Sequence, residues 1–220
     1  MSAGAARFYQ FADSPFCAKV RKILDYKGVA YEIVEDYLDR SALLAASGQL
    51  MVPALTLETE TLVDSERISL RLEELYPQPT LFPEGARGLH LALARYFGVS
   101  LEDALFRATV PDSLAYYRKL SPSHEAWWRL LRERKYGDGF CEAMVREHKA
   151  NYTRVCELLT PLDQDLSERA FLLNRLGYAD FALYGQLTYL TFTGNNKLPP
   201  ELSNLREYYD RLDRISSQLE

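Results

Sequence analysis

Sulfur chemistry has little to work with in this sequence. Three cysteines, Cys17, Cys141 and Cys156, are spread over 220 residues. They are too few and too scattered for a disulfide framework, so a reducing, cytoplasmic compartment is expected. Histidine is as sparse: His90, His124 and His148 stand far apart, without cysteine or carboxylate partners at ligand spacing, and no metal site is expected. No long run of lysine or arginine occurs, and the formal net charge is −5. A surface that tracks phosphates needs a basic patch, so nucleic acid is not an expected partner. Long hydrophobic runs are missing too. The most apolar stretch, Phe171 to Phe192, contains Asn174, Arg175, Asp180 and Gln186, which a bilayer would penalise. It reads as a helix buried in protein. Met1 to Ala6 has neither a basic nor an apolar segment, so no secretory signal is visible and no membrane partner is expected.

What is present has the composition of a globular protein, 47% hydrophobic and 26% charged, over a length that allows two modest domains, each with its own core. Arg7 to Phe11 is an apolar and aromatic run that predicts a buried strand. Asp13, Ser14 and Pro15 then read as a helix start, a capping side chain followed by proline in the first turn. Val20, Ile23 and Leu24 give that helix an apolar face, and Gly28 is placed to end it. Tyr31 to Val34 predicts a second strand, and Arg40 to Ser47 a short helix. Ala54 to Leu57 and Thr61 to Val63 flank the turn Glu58-Thr59-Glu60, a hairpin signal. Asp64 and Ser65 open a further helix, continued by Ile68, Leu72 and Leu75.

The order is βαβ, a helix, then ββα: a parallel crossover followed by an antiparallel hairpin. This is a thioredoxin-like α/β arrangement with one mixed four-stranded sheet. Pro77 to Gly88 is rich in proline and glycine and reads as a linker. Beyond it the pattern is all-α: Leu89 to Ala108, Glu125 to Lys135, Phe140 to Leu159, Asp180 to Phe192 and Leu202 to Leu212 carry helical periodicity. The expected division is residues 1–78, a linker over 79–88, and a helical bundle over 89–220.

Three short motifs stand at telling distances. Ser14-Pro15-Phe16-Cys17 opens the first helix, Met51-Val52-Pro53-Ala54-Leu55 leads into the third strand, and Asp64-Ser65-Glu66-Arg67-Ile68 starts the third helix. Together they resemble the glutathione transferase superfamily. A fourth, Gly177-Tyr178-Ala179-Asp180-Phe181-Ala182-Leu183-Tyr184, resembles the helix start of that family's second domain. The resemblance covers nearly the whole chain.

It implies glutathione as co-substrate, no metal, and Ser14 as the catalytic residue. A thiolate at a helix N-terminus is stabilised by unpaired backbone N–H groups and the helix dipole, and a serine hydroxyl can donate to it. The resemblance further implies a glutathione site of Phe16, Gln49, Val52, Pro53, Asp64 and Ser65. Val52 and a cis Pro53 would pair with the cysteinyl unit as an added strand does. Ser65 would take the γ-glutamyl carboxylate and Asp64 its ammonium, with Gln49 at the glycyl end. For Ser14 and for Asp64-Ser65 the alternative is a helix cap without chemistry. Gly177 to Asp180 is read as a folding element, in which Asp180 reaches back to a backbone N–H although Gly177 offers no acceptor.

The pattern also departs from parts of the family. Tyrosine-type transferases would place their tyrosine at Gln10, and Tyr9 points to the opposite face of the strand. Cysteine-type members carry their nucleophile where Ser14 stands, and Cys17 reads as core packing. The expected activity is attack of glutathione on a hydrophobic electrophile by a homodimeric enzyme. The alternatives are a non-catalytic interaction module of this fold and a thiol–disulfide oxidoreductase or isomerase. Tyr96, Phe97, Tyr116, Tyr117, Trp127 and Trp128 are candidates to line the second pocket.

Overall fold

The computed structural model describes residues 6–58 and 60–215; Thr59 of the hairpin turn and residues 1–5 and 216–220 lie outside the described residues. Strand β1 (Ala6–Tyr9) is followed by α1 (Pro15–Tyr26), β2 (Tyr31–Val34), α2 (Ser41–Ser47), β3 (Ala54–Leu57), β4 (Glu60–Val63) and α3 (Ser65–Leu75). The sheet order is β2-β1-β3-β4, with β1 parallel to β2 and the other two pairs antiparallel. Strand alternation divides the core between the two faces. Phe8 and Leu55 pack with Val20, Ile23 and Leu24 of α1 and Ile68 and Leu72 of α3. Tyr9 and Ala54 face the other way and pack with Leu43 of α2. The β1 strand is shorter than its apolar run, since Phe11 has already left the sheet.

The helical part holds α4 (Arg87–Tyr96), a π-turn (Phe97–Leu101), α5 (Glu102–Leu120), α6 (Pro122–Tyr136), α7 (Phe140–Arg146), α8 (His148–Leu166), α9 (Tyr178–Leu187) and α10 (Ser203–Asp213). Two helices expected to be continuous are therefore interrupted. The first opens into the π-turn after Tyr96. The second breaks at Glu147, whose backbone sits at φ −93°, ψ 5°. A one-residue break is too short to interrupt the apolar pattern that periodicity reads.

The two parts dock through α1 and α9. Every residue of α9 is buried, as expected for the most apolar stretch of the chain. Gly185 permits the closest approach: a Cβ there would lie 2.4 Å from the Pro15 carbonyl oxygen and 3.0 Å from Lys19 Cβ. Lys19 Nζ donates to the Tyr178 hydroxyl at 3.0 Å. Arg95 of α4 also bridges to Glu66 of α3, at 2.6 Å and 3.1 Å.

Candidate active site

The strand register brings the predicted segments to one edge of the sheet. Tyr9 at the end of β1 pairs with Ala54 at the start of β3, and Ala54 pairs with Val63 at the end of β4. The loop to Ser14, the Val52-Pro53 turn and the Asp64-Ser65 corner thus leave the sheet side by side.

Ser14 is the N-cap of α1 with Pro15 at the first helical position. Its Oγ accepts the Cys17 N–H at 3.3 Å, which leaves the hydroxyl proton free to donate. The Phe16 N–H has no partner among the described residues, as the geometry of a first helical turn requires. The Phe16 side chain is directed elsewhere: its ring lies 3.5 Å from where a Cβ on Gly98 would stand. Cys17 is fully buried, and burial pushes its thiol up to about 12. Its thiol is inert packing at neutral pH.

The Val52–Pro53 bond is cis. Val52 precedes the β3 ladder, so its backbone N–H and C=O take no part in the sheet pairing. Asp64 occupies the left-handed region at φ 74° and caps α3, its Oδ1 accepting from Glu66 and Arg67 N–H at 3.0 Å each. Ser65, the first residue of α3, is buried. Gln49 turns its amide to the Met51 carbonyl at 3.3 Å. Sequence reading missed Arg40. Its guanidinium lies over the Phe11 and Trp127 rings, at 4.9 Å and 4.7 Å, and donates to the Leu50 carbonyl at 2.9 Å. With Tyr9, Gln10, Val34, Glu35 and Val52 it lines a cavity of about 350 Å³ beside the Val52 turn. Nothing in the sequence around Arg40 marks it, because its neighbours come from three separate segments.

Of the aromatic residues considered for the second pocket, Phe97, Tyr117 and Trp128 belong to the core, at 2%, 0% and 1% exposure. Tyr116 and Trp127 are half-buried, and Tyr96 is exposed. Gln10 is buried and ties Arg21 to Glu35 (2.8 Å and 3.4 Å). Among the described residues no group of three His, Cys, Asp or Glu could hold a metal ion, and no helix is long and apolar enough to cross a membrane.

At the start of α9 the missing cap side chain is replaced from another helix. His90 of α4, fully buried, accepts the Ala179 N–H on Nδ1 at 3.2 Å. Asp180 accepts from Gly177 and Leu172 N–H at 2.9 Å each and from the Tyr208 hydroxyl at 3.0 Å. Gly177 has to be small: a Cβ there would lie 2.4 Å from His90 Cε1.

A thioredoxin-like sheet with a helical domain docked on its first helix, and a capped helix start beside a cis-proline turn, defines the class of fold: a thioredoxin-like domain joined to an all-helical one. Residues 8–80 match the family model of the glutathione S-transferase N-terminal domain. That match covers the sheet, α1 to α3 and the beginning of the linker stretch, about a third of the chain. A maleylpyruvate isomerase from Ralstonia sp is 33% identical over 127 residues, 54% of this chain and 58% of that protein. A probable glutathione S-transferase from Nicotiana tabacum is 28% identical over 173 residues, 77% of this chain and 64% of that protein. The matches thus span about three-fifths of the length of these curated relatives. Among solved structures, a glutathione transferase from Phanerochaete chrysosporium superposes with a TM-score of 0.74 at 20% identity, over 96% of this chain and 97% of its own; that likeness concerns the fold.

Proposed function

We propose that this chain binds glutathione along the sheet edge and that Ser14 holds its sulfur as the thiolate for attack on a hydrophobic electrophile. The observation that carries this reading is the open first turn of α1. Ser14 Oγ stands at the helix N-terminus with a proton to donate, the Phe16 N–H is unpaired, and the nearby Cys17 thiol is buried out of competition. A free thiol of pKa about 8.5 is only about 3% ionised at pH 7, and lowering that pKa by about two units takes about 2.7 kcal/mol of preferential thiolate stabilisation. A serine hydroxyl and first-turn amides are groups of the right kind to supply it.

In this reading residues 1–78 form the glutathione-binding domain, 79–88 the linker and 89–220 the domain that completes the electrophile site. Val52 offers its free N–H and C=O to the cysteinyl unit beside Pro53. The N-terminus of α3 with Ser65 takes the γ-glutamyl carboxylate, and Asp64 keeps Oδ2 for the ammonium while Oδ1 caps the helix. Gln49 serves the glycyl end, and Tyr116 and Trp127 face the electrophile. The active form is a cytoplasmic homodimer. A second reading is favoured by the isomerase relative: the thiolate adds to an unsaturated substrate, and is expelled again after rotation, so that glutathione is not consumed.

Calorimetry with glutathione, then assays over a panel of electrophiles and unsaturated acids, tests both. Binding at millimolar or tighter affinity is expected. Ser14→Ala should lower turnover by about 10- to 100-fold, the loss of one hydrogen bond to a charged group, with a much smaller change in glutathione affinity. Measuring glutathione consumption separates conjugation from isomerisation. No binding heat at saturating glutathione would defeat the proposal in favour of an interaction module.

A further inference from the structure

Helix α2 has little of its own to hold it in place. Of its seven residues only Leu43 is buried, and a helix this short is not stable on its backbone hydrogen bonds alone. Arg40 stands at its N-cap position but makes no side-chain cap bond. The side chain, half-buried, leaves the helix and enters a cluster with Phe11, Tyr37, Leu50 and Trp127.

The guanidinium lies 4.9 Å from the Phe11 ring centre and 4.7 Å from that of Trp127, and these two rings meet edge-on at 5.8 Å. Tyr37 stacks on Phe11 at 4.6 Å. Two carbonyls fix the guanidinium in its own plane: Nε donates to that of Tyr37 at 3.3 Å and Nη1 to that of Leu50 at 2.9 Å. A planar cation held along its edges and met by aromatic rings has one orientation, which a lysine ammonium cannot copy. These partners belong to the segments that make the site. Phe11 lies three residues before Ser14, and the N–H of Ala12, next in the chain, is accepted by the Tyr37 hydroxyl at 3.2 Å. Leu50 lies two residues before Val52, and Trp127 is on α6. One side chain thus spaces the loop to Ser14 from the Val52 turn and ties both to α6.

We propose that Arg40 is a positioning residue for the glutathione site: clasped by Phe11 and by Trp127 of α6, it holds α2 and the Val52 turn at a fixed distance from the loop to Ser14. A site whose sides come from separate loops binds less tightly when their spacing fluctuates, in proportion to the fraction of time it is assembled. The consequence for glutathione rests on the binding reading above. The consequence for α2 does not, and its amides report it. Leu44 and Gly48 N–H are bonded to the Arg40 and Leu44 carbonyls at 2.8 Å each. Helix α8, packed on α5 and α10, is the internal control.

The test follows backbone hydrogen exchange by mass spectrometry in the full, ligand-free chain, for the unsubstituted protein, Arg40→Met, Arg40→Lys and Trp127→Leu. Arg40→Met keeps an unbranched side chain and loses the charge and both bonds. Residues 41–51 should then exchange at least about ten-fold faster, with α8 unchanged. Arg40→Lys keeps a charge over the rings and should stay within about three-fold of the unsubstituted protein. Trp127→Leu, a change on α6, should speed exchange over 41–51 by about five-fold. Combined with Arg40→Met it should give less than the product of the two effects; the full product would mean two independent contacts and overturns the clasp. Calorimetry should show the glutathione Kd raised about ten-fold by Arg40→Met and by less than about three-fold in Arg40→Lys. Unchanged exchange over 41–51 in Arg40→Met overturns the inference even where glutathione affinity falls, because Arg40 would then act as a ligand contact. Equal acceleration in α8 overturns it as general destabilisation, and so does a Trp127→Leu variant that exchanges like the unsubstituted protein. If the unsubstituted protein binds no glutathione, the proposed function falls while exchange still decides the role of Arg40. If Arg40→Met does not fold, Trp127→Leu decides alone by the same exchange criterion.

Discussion

The chain contains two helix starts that the fold leaves in opposite states, one open and one filled. At α1 a serine caps, proline follows, and the Phe16 N–H is left unpaired at a half-exposed corner. At α9 the donors are consumed inside the protein. His90 takes Ala179 N–H, and Asp180 takes Gly177 and Leu172 N–H, at the head of a helix whose every residue is buried. Backbone N–H groups at a helix end are a ready anion site, and what separates a site from a structural joint here is whether the fold has already filled them. The open end is thus compatible with the ligand chemistry proposed for it, and the closed end with a folding role.

The largest test of that contrast is Asp180→Ala, which leaves two backbone N–H groups and the Tyr208 hydroxyl buried without their acceptor. A loss of about 4 kcal/mol or more is expected, read from urea unfolding; a loss near 1 kcal/mol would erase the distinction between the two helix starts. Lys19 joins them, being on α1 and bonded to Tyr178 at the start of α9. Burial pulls its pKa down to about 8 from 10.5. The unfolded chain thus binds this proton more tightly, so the cost is fully present below about pH 8 and disappears as pH rises towards 10.5. Relative to Lys19→Met, the unsubstituted protein should gain up to about 3 kcal/mol of stability across that window. Parallel curves would show that the ammonium is hydrated.

Gly177→Ser restores a capping hydroxyl by residue type but drives a Cβ to 2.4 Å from the His90 ring. It should destabilise by about 1–3 kcal/mol. A more stable variant would show that His90 yields and that the cap, not the packing, governs this joint. Ser14→Ala should have the smallest effect on stability, about 1 kcal/mol for a lost cap, alongside its larger effect on turnover. A stability loss comparable to that of Asp180→Ala would make α1 a joint of the same kind as α9.

The parts of the site that a reader of the sequence can find are those made by neighbours in the chain. Ser14 and Asp64 cap helices that begin one residue later, and the hydrophobic spacing of α1 and α3 follows from the faces they bury. The Val52-Pro53 turn was legible only through family resemblance, since an isolated X–Pro dipeptide is seldom cis. What stayed hidden depends on distant partners. His90 serves a helix start 89 residues away. Tyr117 and Trp128 share the residue types of Tyr116 and Trp127 and differ only in which helix face meets the core. The break at Glu147 leaves the apolar pattern undisturbed.

The close approach of Gly185 to the Pro15 carbonyl has a consequence in the order of synthesis. The surface on which the start of α1 rests is made of residues 178 to 187, so on the ribosome the sheet and α1 are complete long before their support exists. Domains generally fold as units and from the N-terminus onward, at about 5–20 residues per second. The first domain of this chain therefore spends several seconds of synthesis with the underside of α1 bare.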